Sequence, residues 1–351
     1  MSRFIQLHLL VSYPPSNLNR DDTGRPKTAV VGDANRLRIS SQSLKRAWRT
    51  SDEFESAMAG HIGVRTKEMG VKLYEAFKAK SVEEKKAREW AKLIAAQFGK
   101  PKSDKKTENN QDLHIEQLAH FSPEEQTAID SLVAKVAAAG TAPSESDLEL
   151  LCKPKSAVDI AMFGRMLAGK PVYNMEAAVQ VAHAITIHKV AVEDDYFTAV
   201  DDLNNGEEDS GSAHIGEAGF GAGVFYLYLC INRELLKKNL GDDQEITQQS
   251  LAALLNAVTK VSPTGKQNSF ASRAYAAYAL AEKGHQQPRS LAQAFLKPVN
   301  GVDMLDKAVK ELDRRVENFD KVYGACADAR RAFNVETGEG SLDDLIKFIT
   351  E

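Results

Sequence analysis

Cysteine is scarce in this chain of 351 residues: Cys152, Cys230 and Cys326 are the only three, and none forms a C-x-x-C pair. That excludes a disulfide framework and a zinc ribbon and fits a reducing compartment. Long apolar runs are lacking too. None approaches the ~18 residues of a membrane span, and residues 2–11 carry neither a basic n-region nor a small-residue cleavage site. The expected location is the cytoplasm, without a membrane partner. Catalytic signatures are equally absent: there is no G-x-x-x-x-G-K-[ST], no G-x-S-x-G and no H-E-x-x-H. His183 and His188, five apart, would stand about 500° apart around a helix, so they read as satisfied helix histidines rather than a metal pair. Asp21-Asp22, Asp194-Asp195 and Asp201-Asp202 are loop carboxylates that say little alone, and Asp33 has no evident partner acid or base.

Basic charge is present, and it is local. Residues 20–49 hold eight Lys/Arg against three Asp/Glu, a net of +5, inside a chain of net charge −4. The run Arg36-Leu37-Arg38-Ile39-Ser40-Ser41-Gln42-Ser43-Leu44-Lys45-Arg46-Ala47-Trp48-Arg49 reads as a strand end feeding a helix. Ser40 or Ser41 is a good N-cap, and the free N–H groups of the first turn form an anion site. Gln42, Lys45, Arg46 and Arg49 recur at i, i+3, i+4 and i+7, and Leu44, Ala47, Trp48 and Ser51 fall opposite. One side can be buried while the other offers cations to a polyanion.

Around this helix the pattern is mixed. Phe4, Gln6 and His8 alternate with Ile5, Leu7 and Leu9, predicting a strand over 3–11, and the proline-bearing 12–17 predicts a loop. Helical periodicity covers 67–80 and 82–98, and 99–112 is a polar break. Ser122-Pro123-Glu124-Glu125 is a capping signature that starts a helix over 123–139. Strands are expected at 157–163, 224–231 and 274–280, and helices at 175–188, 245–261 and 302–323. The order suits an α+β, ferredoxin-like sheet with helices on one face, interrupted by a helical insertion over 52–152. One segment breaks the regularity: 193–209 holds eight acidic residues and no basic one, and 206–223 holds six glycines. It reads as a long functional loop, with Tyr196, Phe197 and Ile215 as its apolar residues.

Several motifs agree on a family. Asn19-Arg20-Asp21-Asp22, 38–47, Asp159-Ile160-Ala161-Met162-Phe163-Gly164-Arg165-Met166, Ala182-His183-Ala184-Ile185-Thr186, Phe197-Thr198-Ala199-Val200-Asp201-Asp202-Leu203 and Ser212-Ala213-His214-Ile215-Gly216 resemble, in order and spacing, the CasC backbone-subunit family of type I-E CRISPR Cascade complexes, within the RAMP superfamily. The likeness runs from the first strand to about residue 232. It implies an α+β fold with a modified RRM/ferredoxin-like palm (1–51, 176–192 and 224–351), helical fingers (52–175) and a thumb (193–223). It implies a non-catalytic subunit that oligomerises head to tail along CRISPR RNA, displaces a nucleotide at regular intervals with its thumb, and presents the guide to a target DNA strand. Further partners would be subunits of the CasA, CasB, CasD and CasE type; no cofactor is implied. The RNA-binding residues would be Arg20, Lys27, Arg38, Ser40, Gln42, Lys45, Arg46, Arg49, Arg165 and Met166, and the thumb wedge Tyr196, Phe197, Val200, His214 and Ile215.

Contacts that must hold any guide sequence go to phosphate, sugar and base faces rather than base edges, which the basic helix suits. Glu193, Asp194 and Asp195 are expected to meet a basic surface on the adjacent copy, or to repel stray phosphate. Lys102, Lys105 and Lys106 are read as solvated. The alternatives are a metal-dependent ribonuclease of type III backbone character acting through Asp33, and a monomeric single-stranded RNA-binding protein.

Overall fold

The computed structural model describes residues 2–102, 108–199 and 214–351. Its strands are β1 (Phe4–Ser16), β2 (Thr28–Val31), β3 (Ala34–Ile39), β4 (Val64–Thr66), β5 (Ala119–Phe121), β6 (Val179–Val181), β7 (Ala184–Thr186), β8 (Glu193–Ala199), β9 (His214–Asn232), β10 (Ala276–Gly284) and β11 (Ala329–Asn334). The helices are α1 (Ser41–Arg49), α2 (Asp52–Ala57), α3 (Met69–Ala79), α4 (Glu84–Ala95), α5 (Pro123–Ala139), α6 (Val158–Phe163), α7 (Arg233–Asn239), α8 (Gln244–Lys260), α9 (Gln267–Phe270), α10 (Met304–Tyr323) and α11 (Leu342–Thr350).

The fold is α+β. One sheet runs β11-β10-β1-β9-β7-β3-β2, with β6 and β8 also paired to β9, and the pairings along that path are antiparallel. Central position explains why the alternation of β1 does not become a wet and a dry face: Ile5, Leu7 and Leu9 are buried on one side and Gln6, His8 and Leu10 on the other. Cover is therefore needed on both faces, not on one. On the second, Leu10, Tyr226, Tyr278 and Leu280 pack with Phe295 and with Ala308, Leu312 and Val316 of α10. The polar groups beside them are paired: Glu282 accepts from Arg289 at 2.7 Å and from Arg330 at 2.7 Å, and meets His8 at 3.1 Å. The chain divides into two compact units, unit 1 of Met1–Phe54, Gln180–Asn232 and Leu251–Glu351 and unit 2 of Glu55–Val179 and Arg233–Ser250. Unit 2 thus takes a segment that the sequence pattern assigns to the palm. Its core joins Leu73 and Phe77 of α3, Trp90 and Ile94 of α4 and Ile129 and Val133 of α5.

α5 forms as its signature predicts: Ser122 Oγ accepts from Glu125 N at 3.1 Å, Glu125 Oε2 accepts from Ser122 N at 3.0 Å, and Gly140 ends the helix at φ 66°. Four expectations are corrected. Residues 157–163 are not a strand but the helix α6, enclosed all round, with Val158, Ile160, Ala161 and Met162 fully buried. A short apolar run without an exposed face has no period to read. Residues 175–188 hold not a helix but β6 and β7, where Ile185 and Thr186 stand opposite Tyr226 and Phe225; β-branched residues prefer that pleated surface. Residues 12–16 continue β1 beyond the expected loop, and the register shifts between Tyr13 and Ser16, across Pro14-Pro15. Lastly, the acidic, glycine-rich segment is not all loop: β8 and the first part of β9 form a ribbon from Glu193↔Phe220 to Ala199↔His214.

Candidate nucleic-acid interface

The basic segment becomes a corner. β2 and β3 pair as a hairpin, and β3 leads through Ser40 directly into α1. Ser40 is the N-cap, its Oγ accepting from Ser43 N at 3.3 Å while its own N donates to Asn19 Oδ1 at 2.8 Å. Leu44 and Trp48 are buried and anchor the inner face of α1, and no acidic residue stands in its first turn. Gln42 and Arg46 are exposed and Lys45 and Arg49 half-buried, as the spacing predicts.

A residue that the sequence reading dismissed organises this corner. His183 Nδ1 lies 3.2 Å from Arg38 Nη1 and 3.3 Å from Ser41 N, so two donors converge on it. Accepting from both requires the neutral imidazole with its proton on Nε2. Partial burial, then the positive charges of Arg38, Lys27 and Lys45, hold its pKa below the ordinary 6.5. Arg38 thus contacts a neutral ring at the N-terminus of α1, with Lys27 and Lys45 near enough to act on it electrostatically. Among the described residues, neither these three nor Arg46 forms an ion pair. The available signal was Ala182-His183-Ala184-Ile185-Thr186 itself, misplaced by reading the segment as helix.

Arg46 faces a different environment. It lines a cleft of about 920 Å³ together with Arg20, Lys260 and Arg273, the carboxylates of Asp21, Asp22, Asp52 and Glu53, and the exposed ring of Tyr275. Lys260 lies 3.8 Å from Glu53 there. Arg20 thus sits among mixed charge.

Two of the eight cations in 20–49 are spent on the fold. Arg36 is fully buried and donates to the carbonyls of Val31, Thr186 and Phe295 at 3.3, 3.0 and 2.9 Å. Arg25 pairs with Asp194 at 2.7 Å. Asp194 thus meets a cation of its own chain, in an exposed pair.

Arg165 is also corrected. Its side chain is 1 % exposed and it donates to Glu125 at 2.7 Å and to the carbonyls of Cys152 and Tyr173 at 2.6 and 3.0 Å. Both carboxylate and guanidinium lie inside unit 2, so Arg165 offers nothing to a phosphate. Met166, next to it, is 79 % exposed.

On the ribbon, Tyr196 is 65 % and Phe197 43 % exposed. Neighbours in a strand project to opposite faces, so these two rings do not form a single wedge. Phe197 stands opposite Gly216, where a Cβ would come within 2.4 Å of the ring. The glycine serves to seat that ring. His214 and Ile215 begin β9, opposite Ala199 and Thr198. Val200, with Asp201, Asp202 and the rest of 200–213, lies outside the described residues, as do Lys105 and Lys106.

For metal chemistry, the described residues contain no group of three or more His, Cys, Asp or Glu side chains able to hold an ion. Asp33 sits in the β2–β3 turn at φ 60° beside Gly32 at φ 58°, a left-handed pair that closes the hairpin. No helix among the described residues is long and apolar enough to cross a membrane.

No curated protein matches the chain. Among the solved structures that resemble it are two matched over nearly their full length. One is a chain of a CRISPR RNA-guided surveillance complex, pre-nicking, at 30% identity and TM-score 0.88, covering 99% of both chains. The other is a chain of a CRISPR RNA-guided surveillance complex, at 24% identity and TM-score 0.74, again covering 99% of both. The family model described as CT1975-like protein matches residues 5–347, and the chain belongs to that family.

Proposed function

We propose that this chain is a non-catalytic backbone subunit of a CRISPR RNA-guided complex, of the CasC kind in type I-E Cascade, which polymerises head to tail along the guide RNA. The observation that carries this reading is the convergence of Lys27, Arg38 and Lys45 on a neutral His183 at the capped N-terminus of α1. Three cations at a helix N-terminus with no acidic residue in its first turn make a site for successive phosphates. The site reads no base edge, which is what a subunit must do that accepts every guide. Gln42 and Arg49 extend the track along α1. The β8–β9 ribbon is the arm that reaches the neighbouring copy and displaces one nucleotide per subunit, with Phe197 held on Gly216 as its apolar element. Heterologous contacts of this kind do not close a ring and give an open helix. The remaining bases stay free to pair with a target DNA strand, and subunits of the CasA, CasB, CasD and CasE type would complete the assembly.

Light scattering of the purified protein with guide RNAs of increasing length tests this. The particle mass rises stepwise with RNA length at low salt, and the steps vanish at high salt. One copy per RNA at every length would refute the proposal in favour of a monomeric RNA-binding module.

A further inference from the structure

Unit 1 carries a second concentration of cations, away from α1. A groove of about 640 Å³ lies between α10 and residues 293–300, and its charged lining is Lys297, Lys307, Lys310, Arg314 and Arg315 against the one carboxylate of Glu311. α10 sorts its charge by side. Residues 307, 310, 311 and 314 recur at i, i+3, i+4 and i+7 along the groove. Asp313 and Asp320 are turned to other partners, accepting from Tyr278 at 3.3 Å and from Arg330 at 2.7 Å. The packing of Ala308, Leu312 and Val316 into the core fixes this rotation of the helix.

The cations are loosely committed. Lys310 meets Asp306 at 2.6 Å and Arg314 meets Glu311 at 2.5 Å, both exposed pairs within one helix. Such pairs contribute little and exchange readily for a phosphate oxygen. Arg315 Nε is buried without a hydrogen-bond partner. Lys307 pins the wall instead, donating to the carbonyls of Asn300 and Val302 at 3.2 and 2.8 Å.

β3 links the wall of this groove to the α1 corner. Arg36 and Arg38 lie on the same face of β3, with Cα atoms about 6.6 Å apart. Arg36 donates to the carbonyl of Phe295, two residues before Lys297, while Arg38 meets His183. Between them the β2–β3 turn is clamped to the groove wall: a Cβ on Gly32 would fall 1.6 Å from Leu296 O.

We propose that this groove is a second phosphodiester-binding site, on the Arg38 face of the sheet, for the sugar-phosphate backbone of a single-stranded nucleic acid; the inference rests on the RNA-binding reading of α1. The strand is either the guide RNA leaving the α1 corner or the target DNA strand paired to it, and the chemistry is the same for both.

The test uses the full chain with Lys310→Glu/Arg314→Glu, and with Lys310→Gln/Arg314→Gln as the milder pair. First, affinity for a fluorescent single-stranded RNA of mixed sequence is measured across salt concentrations; then a complementary DNA is added to the RNA-loaded protein. If the groove holds the guide, the slope of log K against log salt in the RNA step falls by about 1.4 for two lost contacts. If it holds the target strand, the RNA step is unchanged and the salt dependence of the DNA step falls. Unchanged affinity and slope in both steps, for both variants, overturns the groove. Lys45→Ala, run beside them, separates the two readings: RNA binding indifferent to Lys45 defeats the α1 site whatever the groove does.

Discussion

The resemblance assigns both Arg38 and Arg165 to RNA, and they end in opposite circumstances. Arg38 keeps its guanidinium at the surface beside a neutral ring, with two more cations near. Arg165 is enclosed, its fork closed on a carboxylate and two carbonyls. The deciding partner is the nearest carboxylate. Glu125, placed by its capping box to point inward, neutralises Arg165, while α1 has no acidic residue in its first turn and neither Arg38 nor Lys45 forms an ion pair among the described residues. A guanidinium enclosed with its counter-ion has nothing left to offer a ligand.

The largest effect should come from breaking the enclosed pair. Glu125→Ala leaves a buried cation without its partner, and Arg165→Met leaves the buried Glu125 carboxylate without one, so each should cost about 3–5 kcal/mol in denaturant unfolding. RNA affinity at the α1 corner, measured on the fraction that stays folded, should be unaffected by either.

The reverse pattern should hold for the open corner. Arg38→Ala and Lys45→Ala should each shift unfolding by no more than about 0.5 kcal/mol. Each should weaken RNA binding to a similar degree for every guide sequence and lower the salt slope by about 0.7. A loss that depends strongly on sequence would contradict phosphate recognition.

Proton uptake sharpens the contrast further. Because His183 titrates below 6.5 in the folded chain, the unfolded state binds more protons between the folded value and 6.5. Its contribution to stability is full above 6.5 and is lost as pH falls through that window. An NMR titration of the His183 ring should give a midpoint below 6.5 that rises in Arg38→Ala, where one repelling charge is gone.

The smallest effect on affinity is expected on the ribbon. Phe197→Ala should leave RNA affinity nearly intact and change the regular pattern of base protection in chemical probing.

Much of this was legible in the sequence where local chemistry decides the outcome. Ser122 with Glu125, and Ser40 before an amphipathic run, mark helix starts because their side chains satisfy the first free N–H groups themselves. β9 was legible as a run of β-branched and aromatic residues over 224–231. What stayed hidden depends on partners distant in the chain. α6 shows no period because all but its last residue is buried, and β6 and β7 are fixed by pairing with partners distant in the chain, β9 for both and β3 for β7. Arg165 could not be recognised as structural without Glu125, forty residues earlier. His183 acquires its role only when β7 brings it to the start of α1. The ribbon was hidden by its composition, since glycine and acid suggest freedom while the register with β8 fixes each residue.

That ribbon shares its strand with the middle of the sheet. β9 runs without interruption from His214, opposite Ala199, to Asn232, opposite Phe4 in β1. At about 3.3 Å per residue its 19 residues span roughly 60 Å, in one piece from the arm into the best-buried strand pair of unit 1. An arm made this way is a beam clamped at its root rather than a tether. Under the proposed function, a load at its end would be carried as bending and torque into β1, so the interval marked along a bound polymer would be set by stiffness, and copies joined through the arm would count out equal lengths as a ruler does.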